Sequence, residues 1–317
     1  MRFARRGLMV LCMFVLGGAS LWGGLAQASG SVSLVGGMVY TQANTADGAM
    51  PLRLDLYTPR LGCDPDCPVI LALHGGGFRV GTRKSPGVVM LAEAAAQAGF
   101  AVVAIDYRHI DDNPRLSERV KDGLADEIGV VRSKILQRSA RGDQAVAALA
   151  AAEDTAAAMG WIMAQADRYG LNADKVALFG SSAGAVTALA LAYGADELRF
   201  DLPMAIAGVV GFQGRLPDLL DIAPGDAPLM IVHGTEDARI PFDDAARLRA
   251  RAKSAQLPVW FVPVGGKGHG ITEINLIGTQ VGGATLLSKM LMFFDQTLQD
   301  PASLMSQCVS NRADLCG

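Results

Sequence analysis

Short apolar runs alternate with longer alanine- and leucine-rich segments along most of the chain. The short runs predict buried strands, and they span residues 68–73, 102–105, 175–179, 229–232 and 259–263. The longer segments predict helices, and they include residues 91–98, 145–158 and 185–192. Continuous apolar strands that alternate with helices are typical of parallel sheets covered on both faces. The pattern therefore predicts an α/β fold with a mostly parallel central sheet.

The composition agrees with one α/β domain. The chain has 317 residues, of which 50% are hydrophobic, and a chain of this length buries a substantial core. The sequence contains no internal repeat, no metal-ligand spacing and no dinucleotide-binding glycine motif after a strand. We therefore expect a single domain at residues 29–317 that requires no cofactor and no metal.

A glycine-serine motif, GSSAG at residues 180–184, joins a predicted strand to a predicted helix. A G-x-S-x-G sequence in this context indicates a nucleophile elbow, in which Gly180 and Gly184 leave room for a sharp turn. Ser182 then lies at a helix N-terminus, where amide N–H groups favour developing negative charge. A chance glycine-serine turn is the alternative, and the strand and helix on either side argue against it. Ser182 is the predicted nucleophile.

A second motif, HGGG at residues 74–77, follows the predicted strand 68–73. Three consecutive glycines cost backbone entropy, which is understandable where a backbone must pass close to a reacting atom. The motif resembles the oxyanion loop of α/β-hydrolase esterases and lipases. The resemblance implies that the N–H groups of Gly76, Gly77 and Ala183 stabilise an oxyanion, and that His74 orders the loop. A flexible glycine turn is the alternative.

The catalytic base is sought among four histidines, of which only His233 and His269 follow Ser182. In the α/β-hydrolases the order along the chain is serine, acid, histidine. His233 ends the predicted strand 229–232, whereas His269 lies in a glycine-rich loop after the predicted strand 259–263. The resemblance makes His269 the general base and His233 a structural residue.

The acid is sought in the segment His233-Gly-Thr-Glu-Asp237, which Pro241 completes. This segment resembles the acid-bearing loop of the same superfamily, so Asp237 is the expected acid and Glu236 its rival. Asp243 and Asp244 are expected at a solvated helix start. A serine hydroxyl needs an imidazole to take its proton, and the imidazole needs an acid on its other nitrogen. The serine, the acid and the histidine therefore form one predicted triad.

Over residues 52–296 the chain resembles α/β-hydrolase esterases of the carboxylesterase and hormone-sensitive-lipase-like kind. Further matching pieces are Asp106-Tyr107-Arg108, Glu153-Asp154 with Trp161, and the polar turn 168–175. The resemblance implies an α/β-hydrolase domain and a serine carboxylesterase that hydrolyses small to medium esters through an acyl-enzyme.

The chain also departs from that family in two places. Ser181 stands where hormone-sensitive-lipase-like enzymes usually have Asp and type-B carboxylesterases usually have Glu, and residues 109–112 are HIDD in place of LAPE. The departures leave the subfamily and the substrate open. A peptidase of the same fold, or a non-catalytic binding module that retains it, is the alternative function.

The N-terminus has the pattern of a signal peptide. Three arginines precede the apolar run 8–16, and an A-x-A site follows at residues 26–28. We expect a signal peptide at residues 1–28, cleavage after Ala28 and a secreted or periplasmic protein. An uncleaved anchor, apolar from residue 8 to residue 25, is the alternative.

The expected partner is a small or polymer-borne ester. Removing the three signal-peptide arginines from a net charge of −3 leaves −6 for the mature chain, and no basic run is present, so nucleic-acid binding is not expected. We also expect no stable membrane insertion after cleavage.

Four cysteines remain beyond the predicted signal peptide: Cys63, Cys67, Cys308 and Cys316. Export to an oxidising compartment favours disulfides over free thiols. The short spacings favour Cys63–Cys67 and Cys308–Cys316, while pairing of Cys63 with Cys308 stays open.

An unusually long connection lies at about residues 109–144. It is rich in charge and has an apolar face. Long loops in compact domains are often functional, so this segment is predicted to be either a lid or wall of the acyl pocket or a surface excursion on the sheet edge.

Overall fold

The centre of the molecule is an eight-stranded sheet. A computed structural model describes residues 32–63, 66–123, 142–217, 220–271 and 273–300. The strands of the sheet are β1 (Val32–Thr45), β2 (Gly48–Pro59), β3 (Cys67–Leu73), β4 (Ala101–Ile105), β5 (Leu171–Ser181), β6 (Gly208–Phe212), β7 (Leu229–Gly234) and β8 (Val259–Val264). Their order is β1-β2-β4-β3-β5-β6-β7-β8. Strand β2 is antiparallel to β1 and β4, and the other neighbours are parallel.

Helices lie between most of the parallel strands, and two more follow the last strand. They are α1 (Pro86–Gln97), α2 (Gly142–Tyr169), α3 (Ala183–Gly194), α4 (Phe242–Ser254), α5 (Glu273–Gly278) and α6 (Leu286–Leu298). Smaller elements are a 3-10 turn at Ile110–Asp112, a helical stretch at 118–123, and a short hairpin of β9 (Gln280–Val281) and β10 (Ala284–Thr285). Strands that alternate with helices around one sheet confirm the predicted α/β architecture.

Helices cover both faces of the sheet. Successive residues of a strand point to opposite faces, and in β3 Leu71 packs in one buried cluster while Ile70 packs in another. Helices α2, α3 and α4 contribute to the first cluster, and α1 and α6 contribute to the second. The central strands are buried on both faces, which explains why their sequences are continuously apolar.

Strand β5 is longer than the sequence predicts. The sequence predicts a polar turn at residues 168–175. In the structure, residues 168 and 169 end helix α2, Gly170 makes the turn with φ +63°, and residues 171–175 begin strand β5. The register jumps between Pro68, which pairs with Asn172, and Val69, which pairs with Val176. The polar residues between Asn172 and Val176 therefore belong to the strand as an irregularity in its pairing, although the apolar pattern predicts that the strand begins after them.

A disulfide joins Cys63 to Cys67 beside this irregularity, with the two Cα atoms 5.0 Å apart. The backbone N–H of Cys67 donates to the carbonyl of Gly170 at 2.9 Å. The predicted local pairing is confirmed for these two cysteines. Cys308 and Cys316 lie outside the described residues, as does the predicted signal peptide.

The described part of the long connection, residues 109–123, packs against its neighbours. Ile110 N–H donates to the Phe78 carbonyl at 2.8 Å, and Arg115 N–H donates to the Asn44 carbonyl at 3.0 Å. This part of the segment therefore borders the glycine-rich loop and strand β1. Residues 124–141, which are half of the segment predicted as a lid or surface excursion, lie outside the described residues.

One helix among the described residues, Asp143–Tyr169 within α2, is long and apolar enough to cross a membrane by length and composition. Half of its apolar window is buried inside the protein. Its buried residues, such as Ala151 and Ile162, belong to the core cluster on one face of the sheet. Packing on the sheet accounts for the buried half of this window.

Candidate active site

Ser182 occupies a sharp turn between β5 and α3. Its backbone has φ +51° and ψ −113°, a conformation that side-chain-bearing residues rarely adopt and that costs about 1–3 kcal/mol. The Ser182 N–H donates to the carbonyl of Phe212 at the end of β6 at 2.8 Å. Strain held in place between a strand and a helix is the signature of a nucleophile elbow.

Two glycines make this turn sterically possible. A Cβ on Gly180 would lie 2.2 Å from the carbonyl oxygen of Gly184. A Cβ on Gly184 would lie 2.5 Å from the carbonyl oxygens of Leu73 and His74. These atoms belong to backbone and cannot rotate away, so both positions exclude any larger residue, in agreement with the sequence analysis.

The glycine-rich loop lies directly against the elbow. A Cβ on Gly75 would lie 3.4 Å from the Cβ of Ser182. Gly76 and Gly77 have φ +125° and φ +63°, and within the described ranges neither amide N–H donates to a protein acceptor. Ala183 is the first residue of α3, and the first N–H groups of a helix have no intrahelical partner. The structure thus brings unpaired N–H groups close to Ser182.

His74 orders the loop from within. It is fully buried, its Nδ1–H donates to the Gly75 carbonyl at 2.7 Å, and its ring stacks on Tyr107 with centroids 4.2 Å apart. The Tyr107 hydroxyl donates to the His74 carbonyl at 2.6 Å. Burial lowers the pKa of His74 to about 4, so the imidazole is neutral and serves the loop as predicted.

The predicted base and acid lie in line with the serine. Ser182 Oγ is 2.9 Å from His269 Nε2, and His269 Nδ1 is 2.8 Å from Asp237 Oδ2. Asp237 is buried, and its Oδ1 accepts the N–H groups of Arg239 and Ile240 at 2.9 and 3.0 Å. Burial alone raises the pKa of Asp237, but the Ile240 N–H, His269 and the Arg239 N–H outweigh it, so this pKa lies below its ordinary value. The carboxylate is therefore ionised.

The rival residues have different surroundings. Glu236, the rival acid, has an exposed side chain. The carboxylate that is hydrogen-bonded to His269 is that of Asp237. His233 is fully buried, its Nε2–H donates to the Ile240 carbonyl at 2.9 Å, and the same atom is 3.4 Å from Asp237 Oδ2. His233 thus braces the acid loop, while Asp243 and Asp244 lie in the first turn of α4 as expected.

One residue of the site is missing from the sequence analysis. Gln213 follows β6 and contacts both the acid and the loop of His269. Its sequence signal is a polar residue directly after the apolar run 208–212. That signal is weak, because most apolar strands end in a polar residue.

A buried ion-pair cluster supports the loop side of the site. Arg108 Nε donates to Asp154 Oδ1 at 2.9 Å, and the Arg108 N–H donates to Asp154 Oδ2 at 2.8 Å. Arg108 also donates to Glu153 at 3.0 Å. Arg108 directly follows Tyr107, so this cluster holds the residue whose hydroxyl bonds to the loop. The segment 106–108, selected from sequence, thus has a structural role.

A cleft lies beside the glycine-rich loop, but Ser182, Asp237 and His269 do not line it, and the described residues form no metal-binding cluster. No cluster of three or more His, Cys, Asp or Glu side chains occurs there. A cleft of about 610 Å³ lies between Arg79 of the loop and residues Ile110, Asp111 and Asn113 of the long connection. The described part of the connection therefore forms one wall of a cleft beside the glycine-rich loop.

Comparison with protein families matches part of the chain. The BD-FAE family model, which describes esterase-type α/β-hydrolases, matches residues 54–123 and 136–211. These segments include the HGGG loop and Ser182, and they end before Asp237 and His269. The matched part therefore includes the predicted nucleophile, Ser182, and excludes the predicted acid and base.

Curated relatives match over a shorter part of the chain. Alpha/beta hydrolase domain-containing protein 17B of Homo sapiens is 29% identical over 117 residues, which is 34% of this chain and 40% of that protein. The Xenopus laevis protein is 30% identical over 124 residues, with 36% and 42% covered. The match spans about two fifths of the length of these relatives.

Solved structures match over most of the chain. Native esterase 2 of Thermogutta terrifontis has a TM-score of 0.60 at 18% identity, covering 87% of this chain and 94% of its own. A truncated carbohydrate esterase from gut microbiota has a TM-score of 0.58 at 15% identity, with 85% and 98% covered. At such identities the likeness establishes the fold. The chain therefore has the α/β-hydrolase fold, as the sequence resemblance predicts, and part of it matches an esterase family model.

Proposed function

We propose that the protein is a serine carboxylesterase that hydrolyses small to medium carboxylic esters. The observation that carries this proposal is the continuous chain of hydrogen bonds from Ser182 Oγ through His269 to Asp237, at 2.9 and 2.8 Å. These lengths are those of proton-transfer contacts. The elbow presents this serine beside a glycine loop with unpaired N–H groups.

Acylation follows from this geometry. His269 Nε2 takes the proton of Ser182 Oγ as the oxygen attacks the ester carbonyl carbon. Asp237 Oδ2 accepts the Nδ1–H of His269, fixes the tautomer and stabilises the imidazolium that forms. Because the Asp237 carboxylate is ionised, it is ready for this role at neutral pH. Collapse of the tetrahedral intermediate breaks the ester C–O bond, and His269 gives its proton to the leaving alcohol.

Charge on the carbonyl oxygen requires separate stabilisation. The N–H groups of Gly76, Gly77 and Ala183 are the donors we assign to this oxyanion, and each such donor is worth about 3–4 kcal/mol. Water then attacks the acyl-enzyme, with His269 accepting one water proton, and the carboxylic acid leaves as Ser182 regains its proton. No cofactor or metal enters these steps.

The proposed substrate size is small to medium. Structural neighbours include Thermogutta terrifontis esterase 2 in propionate-bound and butyrate-bound forms, which supports short acyl groups. The carbohydrate esterase neighbour supports esters carried by a polymer. Both are proposals for this chain.

We also propose that the protein acts outside the cytoplasm, in the periplasm or as a secreted enzyme. The Cys63–Cys67 disulfide supports an oxidising compartment. The predicted signal peptide at residues 1–28 supports export. Mass spectrometry of the protein recovered from its native host, showing an N-terminus at Ser29, tests this proposal.

Hydrolysis of p-nitrophenyl acetate, butyrate, octanoate and palmitate by purified protein tests the activity. We expect the highest rates on acetate and butyrate, and a loss of at least about a thousandfold in Ser182→Ala. Ser181→Ala is the matched control, because it removes the neighbouring hydroxyl of the same elbow and is expected to keep most of the activity.

Two outcomes would contradict the proposal. Equal rates in wild type and Ser182→Ala would exclude Ser182 as the nucleophile. A folded wild type that hydrolyses none of the esters and does not react with a fluorophosphonate probe would indicate a binding module in place of an enzyme. Labelling of Ser182 without ester turnover would instead indicate a narrower substrate, such as a peptide.

A further inference from the structure

Gln213 is a buried polar residue with a strained backbone at the end of β6. Only 2% of its surface is exposed, and its φ of +52° lies in the region that favours glycine. Its N–H donates to the Val232 carbonyl of β7 at 2.8 Å. The next residue, Gly214, has no room for a side chain, since a Cβ there would lie 2.5 Å from that of Ala185 in α3. The backbone at Gln213 is thus held on both sides.

The carboxamide of Gln213 brackets His269. Its Nε2 donates to the carbonyl of Gly268, the residue before the histidine, at 2.7 Å. Its Oε1 accepts the N–H groups of Gly270 and Ile271, the two residues after the histidine, at 3.1 and 2.9 Å. One side chain therefore holds the backbone on both sides of the predicted base.

The same carboxamide reaches the predicted acid. Gln213 Nε2 is 3.4 Å from Asp237 Oδ2, the oxygen that accepts the Nδ1–H of His269. A carboxamide has two N–H donors and two acceptor lone pairs, and here all four face a partner. No other amino acid of this length provides that combination without a charge.

The loop of His269 requires such support. It runs between β8 and α5 and contains glycines at 265, 266, 268 and 270, of which Gly266 and Gly270 have positive φ. Glycine-rich backbone has high conformational freedom. The first half of the loop is tied to the acid loop, through Glu236 N–H to the Lys267 carbonyl at 2.9 Å. Gln213 ties the second half.

We propose that Gln213 is a positioning residue that holds His269 in line between Ser182 and Asp237. Its effect on turnover rests on the esterase function proposed above, whereas its effect on the His269–Asp237 hydrogen bond does not. A misplacement of about 1 Å in a catalytic group costs about a hundredfold in rate. Loss of the hydrogen bonds from Gln213 to the backbone on both sides of His269 is therefore expected to lower kcat and to leave KM nearly unchanged.

The first experiment compares Gln213→Met with a matched control, Gln256→Met. Methionine keeps the length of the side chain and removes its polar atoms. Gln256 also has a positive φ, of +57°, but is exposed and follows α4. We expect kcat on p-nitrophenyl butyrate to fall about a hundredfold in Gln213→Met and to change less than about twofold in Gln256→Met.

A second readout needs no substrate. The proton between His269 Nδ1 and Asp237 Oδ2 is expected as a low-field resonance in the proton NMR spectrum, assigned by its loss in Asp237→Asn. We expect it to disappear in Gln213→Met, because a loosened loop lets water exchange the proton, and to remain in Gln256→Met. A residue that only supports stability would lower the melting temperature without removing this resonance.

Gln213→Glu provides a further variant should the methionine variant fail to fold. The carboxylate can still accept from Gly270 and Ile271 N–H, but it faces the Gly268 carbonyl and Asp237 without a donor. Protonation restores one O–H donor. We therefore expect the ratio of Glu-variant to wild-type kcat to rise as pH falls, with Asp237, His269 and His233 as the titratable groups nearby. A merely structural role gives a ratio independent of pH.

The outcomes separate the two proposals. Wild-type kcat together with an intact low-field resonance in Gln213→Met, or a pH-independent ratio for a folded Gln213→Glu, would overturn the positioning role and leave the esterase proposal standing. A wild type without hydrolysis or probe labelling would overturn the esterase proposal. In that case the resonance in Gln213→Met still decides: its loss supports the positioning role and its persistence refutes it.

Discussion

The two halves of the site are held in place by different means. On the nucleophile side, Ser182 and the HGGG loop are fixed by close packing of backbone against glycines, within 2.2–2.5 Å of where a Cβ would stand. On the base side, Gly234 of the acid loop is also tightly packed, with a Cβ position 2.2 Å from the Lys267 carbonyl oxygen, but at Gly268, beside the histidine, the nearest atom to a Cβ position is the Glu236 carbonyl oxygen at 3.6 Å. That side depends on hydrogen bonds from Gln213 and the acid loop. A tightly packed turn requires glycines at fixed positions, and these are visible as a short motif in the sequence. Hydrogen bonds between segments far apart in the chain require no such motif.

The largest expected effect lies on the base side. Asp237→Asn removes the charge that fixes the His269 tautomer and is expected to lower kcat by about ten-thousandfold. Glu236→Gln, one residue away and exposed, is expected to stay within about twofold. Steady-state kinetics on p-nitrophenyl butyrate checks both variants. A greater loss in Glu236→Gln than in Asp237→Asn would reassign the acid.

A second effect concerns stability on the nucleophile side. Asp154→Ala leaves the guanidinium of Arg108 buried without its main partner, and breaking a buried pair in this way costs about 3–5 kcal/mol. Asp111→Ala removes an exposed pair with Arg79, in which 73% of the Asp111 side chain is accessible, and is expected to cost less than about 1 kcal/mol. Urea unfolding measures both free energies. Equal losses would show that the Arg108 cluster is not a structural support.

A third effect compares the two kinds of glycine. Gly184→Ala places a Cβ 2.5 Å from backbone carbonyl oxygens, and such overpacking is expected to cost about 3 kcal/mol of stability. Gly268→Ala meets only an ordinary contact and is expected to cost less than about 1 kcal/mol. Thermal melts of the two variants check this. A larger loss from Gly268→Ala would reverse the comparison between the two sides.

The smallest effect is a pH dependence of stability. Because the pKa of Asp237 lies below its ordinary value, the folded state favours the ionised carboxylate. This contribution is fully present above the unfolded pKa of about 4 and is lost as pH falls through the folded value. The difference in unfolding free energy between wild type and Asp237→Asn is therefore expected to shrink below pH 4. A difference that grows on acidification would contradict the assigned direction.

Most of the architecture was predictable because it depends on short-range patterns. The apolar runs 68–73, 229–232 and 259–263 became strands β3, β7 and β8 with ends shifted by one or two residues. Strand β5 was underestimated, because its first residues pair with β3 despite polar side chains. Burial is visible in a sequence, whereas pairing across an irregular register depends on a partner strand about a hundred residues away.

The sequence by itself determined the fold class and the glycines at 180 and 184, because steric demands and strand burial act on neighbouring residues, whereas the expected order of serine, acid and histidine came from the resemblance to α/β-hydrolases. Only the tertiary structure decided that His269 lies 2.9 Å from Ser182 and 2.8 Å from Asp237, and that Gln213 binds the backbone on both sides of the histidine. Those contacts join segments that are 24 to 87 residues apart in the chain. Their geometry is set by the strand order β5-β6-β7-β8, which places the ends of four strands side by side.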